Sequence, residues 1–263
     1  MLYYIFYGYW EEFGDPRIVS YPLMSHSPLP MLGIVGIYIF LVKLIGPWFM
    51  RDRPAYKLRK TLIIYNLYNT IINSWFFYHA VCCLDYGRKL YNFEFPSSYD
   101  QSEMGLFSCK MIYLYMLSKL IDFADTIFFV LRKKDKQASF LHVYHHSVVP
   151  IIMWMGVKLM PSAGPAGLFP LFNSFIHTIM YFYYTISSLG PEYRWLLFWK
   201  KYITILQMIQ FLTYICYSLL FLFYQTGYPF FIVYASIIQS PLFFVMFYKF
   251  FRNTYGTKTT KTH

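Results

Sequence analysis

Phe140-Leu-His-Val-Tyr-His-His146 decides how this chain is read. Three imidazoles crowd into a stretch otherwise apolar enough to cross a bilayer. At about 100° per helical residue, His142, His145 and His146 share about 100° of arc and look into one space. Ionisable groups at membrane depth are costly and mark function.

The rest of the chain fits that setting. Of 263 residues, 57% are hydrophobic and 24% aromatic, and only 13% are charged. A soluble domain carries roughly 25% charged residues. The net charge of +11 does not point to nucleic acid, because the basic residues sit in short clusters between apolar runs, as in loops on a cytosolic leaflet. Cys82, Cys83, Cys109 and Cys216 form no CxxC or zinc spacing; free thiols are expected over a bridge from Cys109 to Cys82 or Cys83. The start, Met1-Leu-Tyr-Tyr, reaches Glu11-Glu12 without a basic leader and predicts no signal peptide.

Runs of spanning length occur at about 31–50, 61–84, 110–131, 138–157, 166–188, 202–224 and 229–251. The connections alternate between basic-poor and basic-rich. Arg17 precedes the first run, and Arg51, Arg53, Lys57, Arg59 and Lys60 follow it. Residues 85–109 offset Arg88 and Lys89 with Asp85, Glu94, Asp100 and Glu103, then comes Arg132-Lys-Lys-Asp-Lys136. Lys158 stands alone, Arg194, Lys200 and Lys201 follow, the next connection has no basic residue, and the tail carries Arg252, Lys258 and Lys261. The positive-inside rule then predicts an all-α domain over 1–263 with seven transmembrane helices. Residues 1–30 form a non-cytosolic segment and 252–263 a cytosolic tail, with Lys261 only partly matching a dilysine signal.

Orientation brings four polar stripes to one depth in the cytosolic half. The third run offers Lys119, Asp122, Asp125 and Thr126, and the fourth the three histidines. The fifth offers Asn173, His177, Met180, Tyr181 and Tyr184, and the sixth Thr204, Gln207 and Gln210. Taken singly, Asn173, Thr204, Gln207 and Gln210 are as well read as interhelical glue. A lysine and two carboxylates on one helix are not, at about +2.5 to +3.5 kcal/mol each at a helix centre. They are expected to pair, Lys119 with Asp122 and the carboxylates with histidine N–H groups of the neighbouring helix. Pro150 leaves the His146 carbonyl without its helical donor and predicts a kink.

Several chemistries suit such a site. Di-iron membrane desaturases need more histidines than the four at this depth, though a single metal could be held. A proton-coupled seven-helix transporter would use the same groups as a relay. A G-protein-coupled receptor fits poorly, since the third run ends Val-Leu-Arg-Lys-Lys and the seventh lacks NPxxY. Imidazole can also accept an acyl group from a thioester while a second histidine moves protons. A membrane site open to the cytosol suits a charged head with an apolar tail, such as an acyl-CoA.

Lys119-Leu-Ile-Asp-Phe-Ala-Asp-Thr126 resembles the KxxExxDT box of the very-long-chain fatty acid elongases. His142-Val-Tyr-His-His146 is similar to their HxxHH, Asn173 to Tyr184 to NxxxHxxMYxYY, and Thr204 to Phe211 to TxxQxxQF. The four boxes stand in the family's order over 119–211, and Asp122 departs from it where Glu is usual. The resemblance implies a 3-oxoacyl-CoA synthase of the endoplasmic reticulum membrane, N-terminus lumenal, whose helices enclose a tunnel open to the cytosol. It would condense acyl-CoA with malonyl-CoA to 3-oxoacyl-CoA, CO2 and CoA with no cofactor or required metal. Membrane lipid and other enzymes of the elongation cycle are the expected partners, with a homodimer left open and nucleic acid excluded.

On this reading His145 takes the acyl group, His177 assists proton transfer, and His142 and His146 hold the constellation with Asp122, Asp125 and Lys119. A ternary route with histidine only as base remains the alternative. Thr126, Asn173, Met180, Tyr181, Tyr184, Thr204, Gln207 and Gln210 are the candidates for substrate contact. Lys133, Lys134, Lys200 and Lys201 are those for the CoA phosphates, although such clusters also serve topology. Trp75, Phe76, Trp154 and Leu220 are candidates to bound the acyl tail.

Overall fold

The computed structural model describes residues 1–256, so Lys258, Lys261 and His263 lie outside the described residues. The all-α class holds: among the described residues the β pairing is limited to an isolated parallel bridge between Glu94 and Thr226. The long elements are α1 (Leu29–Met50, with a π-helical stretch Leu41–Ile45), α2 (Arg59–Cys83), α3 (Glu103–Ile121), α4 (Phe123–Leu131), α5 (Phe140–Leu159), α6 (Gly164–Leu189), α7 (Lys200–Tyr224) and α8 (Phe230–Tyr255).

Among the described residues, four stretches are long and apolar enough to cross a membrane: Leu29–Met50, Phe140–Leu159, Trp195–Tyr224 and Phe231–Tyr255. α2, α3 with α4, and α6 are absent from that set because they carry the polar residues. α2 shows how these are disposed. Asn66, Asn69 and Asn73 are buried on one face, while Ile64, Leu67, Ile71 and Tyr78 are exposed on the other. Polar inside and apolar outside is the reverse of a helix on a water-facing core.

Helix packing closes a ring. α3 packs on α5, α5 on α8, α8 on α7, α7 on α6, α6 along most of α2, and α2 back on α3. α1 stands outside the ring against α5 and α4. The run expected at 110–131 is not one rod: it breaks at Asp122, which ends α3 and starts α4. No Gly or Pro marks the break. It falls one turn after buried Lys119, to which the Asp122 carboxylate is paired. α5, in contrast, runs through Pro150 as one helix.

Residues ahead of α1 cover the far end of α5. Trp154 Nε1 donates to the Leu23 carbonyl at 2.6 Å and Lys158 Nζ to the Met24 carbonyl at 3.2 Å. Beside them the buried Asp15–Arg17 ion pair, 2.6 Å long, reaches Ser162 and the Asp100 carbonyl. All four cysteines are free.

Candidate active site

The site begins where Ser139 caps α5, its hydroxyl accepting from the His142 N–H at 3.3 Å. That cap fixes the first turn, and the imidazoles follow within two turns. The His142 and His146 rings lie 4.2 Å apart, those of His145 and His146 5.2 Å apart. The shared arc expected from spacing is therefore formed.

Two polar knots meet this cluster. In the first, Thr126 Oγ1 lies 3.0 Å from His142 Nε2 and 2.7 Å from the Tyr38 hydroxyl. In the second, Lys119 Nζ donates to Asp122 Oδ2 at 3.0 Å and to Asn173 Oδ1 at 3.4 Å. Tyr115 donates to the same Asn173 oxygen at 2.5 Å. The Tyr181 hydroxyl joins both carboxylates, 2.6 Å from Asp125 Oδ2 and 3.2 Å from Asp122 Oδ1. His177 Nδ1 stands 3.9 Å from Asp122 Oδ2, too far for a hydrogen bond.

The pairing of Lys119 with Asp122 is as expected, but among the described residues no carboxylate is hydrogen-bonded to the α5 histidines. His142 meets the Thr126 hydroxyl, while Asp122 and Asp125 turn to α6. Asp125 and Thr126 are adjacent on α4, so they point about 100° apart, one to each side. The assistance read for His177 needs the histidines of α5 and α6 to meet in one space. α5 packs on α3 and α8, and α6 on α2 and α7. His145 rests against the Phe243 ring of α8 at 5.4 Å. Among the described residues no hydrogen bond, ion pair or ring contact joins it to His177.

The remaining candidates separate. Gln207 Nε2 donates to Met180 Sδ at 3.7 Å, tying α7 to α6. Gln210 Nε2 donates to the Tyr214 hydroxyl at 3.0 Å, which donates to the Phe169 carbonyl at 3.1 Å. Among the described residues Thr204 is buried without joining either knot, and Tyr184 lies on the same stripe of α6 as His177, its ring 6.1 Å from that of Tyr181. Lys133, Lys134, Lys200 and Lys201 are exposed at the ends of α4 and α7, where Lys201 also covers the Phe251 ring.

An apolar cavity of about 150 Å³ lies between the later half of α5, the start of α6, α7 and α8. Phe243 lines it and also touches His145, so one ring separates the imidazoles from the cavity. Val149, Gly156, Phe211, Tyr217 and Ile232 are among its other walls. The residues proposed to bound a tail, Trp75, Phe76, Trp154 and Leu220, do not line it. Trp154 is wholly buried on Leu23, Trp75 and Leu220 face outward, and Phe76 borders a second, smaller cavity. Abundant aromatics gave no phase to choose by. The sequence did hold a signal for Tyr115, one helical turn before Lys119, but none for Tyr38 or Phe243. Among the described residues no three of His, Cys, Asp and Glu are grouped as metal ligands.

A family model described as ELO, the GNS1/SUR4 family, matches residues 23–263. A very long chain fatty acid elongase of Aedes aegypti is 39% identical over 254 residues, 96% of this chain and 70% of the relative. Very long chain fatty acid elongase 7 of Drosophila melanogaster is 37% identical over 263 residues, 98% of this chain and 79% of the relative. Very long chain fatty acid elongase 1 of Homo sapiens is 35% identical over 245 residues, 92% and 86% respectively. With the buried histidines, the Lys119–Asp122 pair and a match running almost from end to end, this chain belongs to the ELO family.

Proposed function

We propose that this chain is a very long chain fatty acid elongase that condenses acyl-CoA with malonyl-CoA to 3-oxoacyl-CoA, CO2 and CoA. The observation that carries the reading is the wall shared by His145 and the apolar cavity: Phe243 touches both. An acyl tail threaded past Phe243 would leave its thioester beside the imidazoles and its CoA outside. In this reading α1, α2, α3 with α4, α5, α6, α7 and α8 are seven crossings of the endoplasmic reticulum membrane, with the N-terminus lumenal and C-terminus cytosolic. The inward polar face of α2 and its outward Ile64 and Ile71 support a lipid-facing ring.

His145 attacks the thioester carbonyl; the new C–N bond replaces the C–S bond, and CoA leaves with the imidazole proton. Malonyl-CoA then loses CO2, and the electrons of the broken C–C bond become an enolate. The enolate carbon attacks the acyl carbon and expels the imidazole, which restores His145. His177, across the ring, moves protons for this second half. Lys133, Lys134, Lys200 and Lys201 hold the CoA phosphates as point charges.

Purified protein incubated with a series of acyl-CoAs and labelled malonyl-CoA tests the reading. Labelled CO2 and a 3-oxoacyl-CoA two carbons longer are expected. Acyl-CoA hydrolysis without condensation, or no turnover at any chain length, would contradict it.

A further inference from the structure

Among the described residues, Asn73 Oδ1 on α2 and His177 Nδ1 on α6 are two of the ring's buried side-chain atoms that have no hydrogen-bond partner. Asn73 is 1% exposed and His177 6%. Buried polar atoms are nearly always satisfied, so each such orphan asks for a reason.

The register of the helices puts the two on one side of the α2–α6 seam. α2 and α6 run antiparallel, with Ser74 Oγ 3.4 Å from Thr178 Oγ1 and the Phe77 and Phe175 rings 5.3 Å apart. Stepping back one residue on each helix, from Ser74 to Asn73 and from Thr178 to His177, turns both side chains to the same side of the seam. The axial offset between them is only about 3 Å. That side holds α3: Phe76 meets Tyr115 there, and His177 approaches Asp122.

The donors nearby are committed elsewhere. The Asn73 amide nitrogen donates to the Asn69 carbonyl at 2.8 Å, which leaves Oδ1 as the projecting end. Lys119 donates to Asp122 and Asn173 and covers the Tyr115 ring. Tyr181 donates to the two carboxylates. Asp122 Oδ2 is the acceptor beside His177 Nδ1, at 3.9 Å, and the register of the two helices puts Asn73 Oδ1 on the same side of the seam. A ring nitrogen among acceptors carries the proton.

We propose that Asn73 is a positioning residue for His177: its Oδ1 accepts the Nδ1–H, directly after a small turn of the ring or through one ordered water. The lone pair then sits on Nε2, on the side of the ring away from the α2–α6 seam. This inference rests on the elongase reading only for what Nε2 does next, which is to take and return protons during condensation.

Nitrogen-15 imidazole spectra of the full chain, with the His177 signal assigned by loss in His177→Gln, read the tautomer without substrate. Nδ1–H is expected in the parent protein, and a shift toward Nε2–H in Asn73→Leu. The same variant should lower kcat about tenfold, as loss of a histidine orienter does, with KM for both CoA esters nearly unchanged. Asn69→Leu, equally buried and with no orphaned atom, should keep the His177 tautomer. An Nε2–H His177 in the parent overturns the proposal whether or not Asn73→Leu folds. So does a folded Asn73→Leu with the parent's tautomer and kcat. A protein that shows the expected tautomer shift but never condenses acyl-CoA would sink the elongase reading and leave the role of Asn73 standing.

Discussion

Lys119 Nζ and Asp122 Oδ2 lie 3.0 Å apart, one helical turn along the chain, with each side chain 3% exposed. The pair sits at the break between α3 and α4, and Asn173, Tyr181 and His177 gather on it. Removing one partner leaves the other charge buried and uncompensated, at a cost of about 3–5 kcal/mol. Lys119→Met or Asp122→Asn should each lower the unfolding temperature of the detergent-solubilised protein sharply. The double variant should lose much less than the sum. Additive losses would mean that the two charges act independently.

Thr126→Val keeps the shape of the side chain and removes the hydroxyl between Tyr38 and His142. The Tyr38 hydroxyl is then buried without a partner, which costs about 1–3 kcal/mol. The same change frees the His142 ring, so condensing activity should fall further than stability explains. Thermal unfolding and turnover measured on one preparation check both parts; parent-like values for both would remove Thr126 from the site.

Gly156 lines the apolar cavity, and a Cβ built on it would meet nothing within 4 Å. Gly156→Leu should therefore start its side chain in open space and take up part of the cavity. If the acyl tail lies there, the longest accepted acyl-CoA should lose about tenfold or more in kcat/KM while shorter ones are spared. Product chain lengths resolved by mass spectrometry give the answer. An unchanged distribution would place the tail elsewhere.

What the sequence disclosed follows from where its charge lies. The three histidines, Lys119, Asp122 and Asp125 are costly in lipid, so their spacing alone assembled most of the candidate site. Asn66, Asn69 and Asn73 were passed over because asparagine is only mildly costly and α2 still reads as an apolar run. Their common burial is a property of the α2–α6 seam, which no local pattern encodes. The break at Asp122 was equally hidden, since neither Gly nor Pro announces it. Phe243 could not be told from the chain's 28 phenylalanines until α8 was placed beside α5.

The most direct test is whether His145 carries the acyl group. Peptide mass spectrometry after incubating the protein with acyl-CoA alone should find the acyl mass on His145, with one CoA released per acylated chain and none in His145→Ala. CoA release that waits for malonyl-CoA, with no acylated histidine under any quench, would contradict the account.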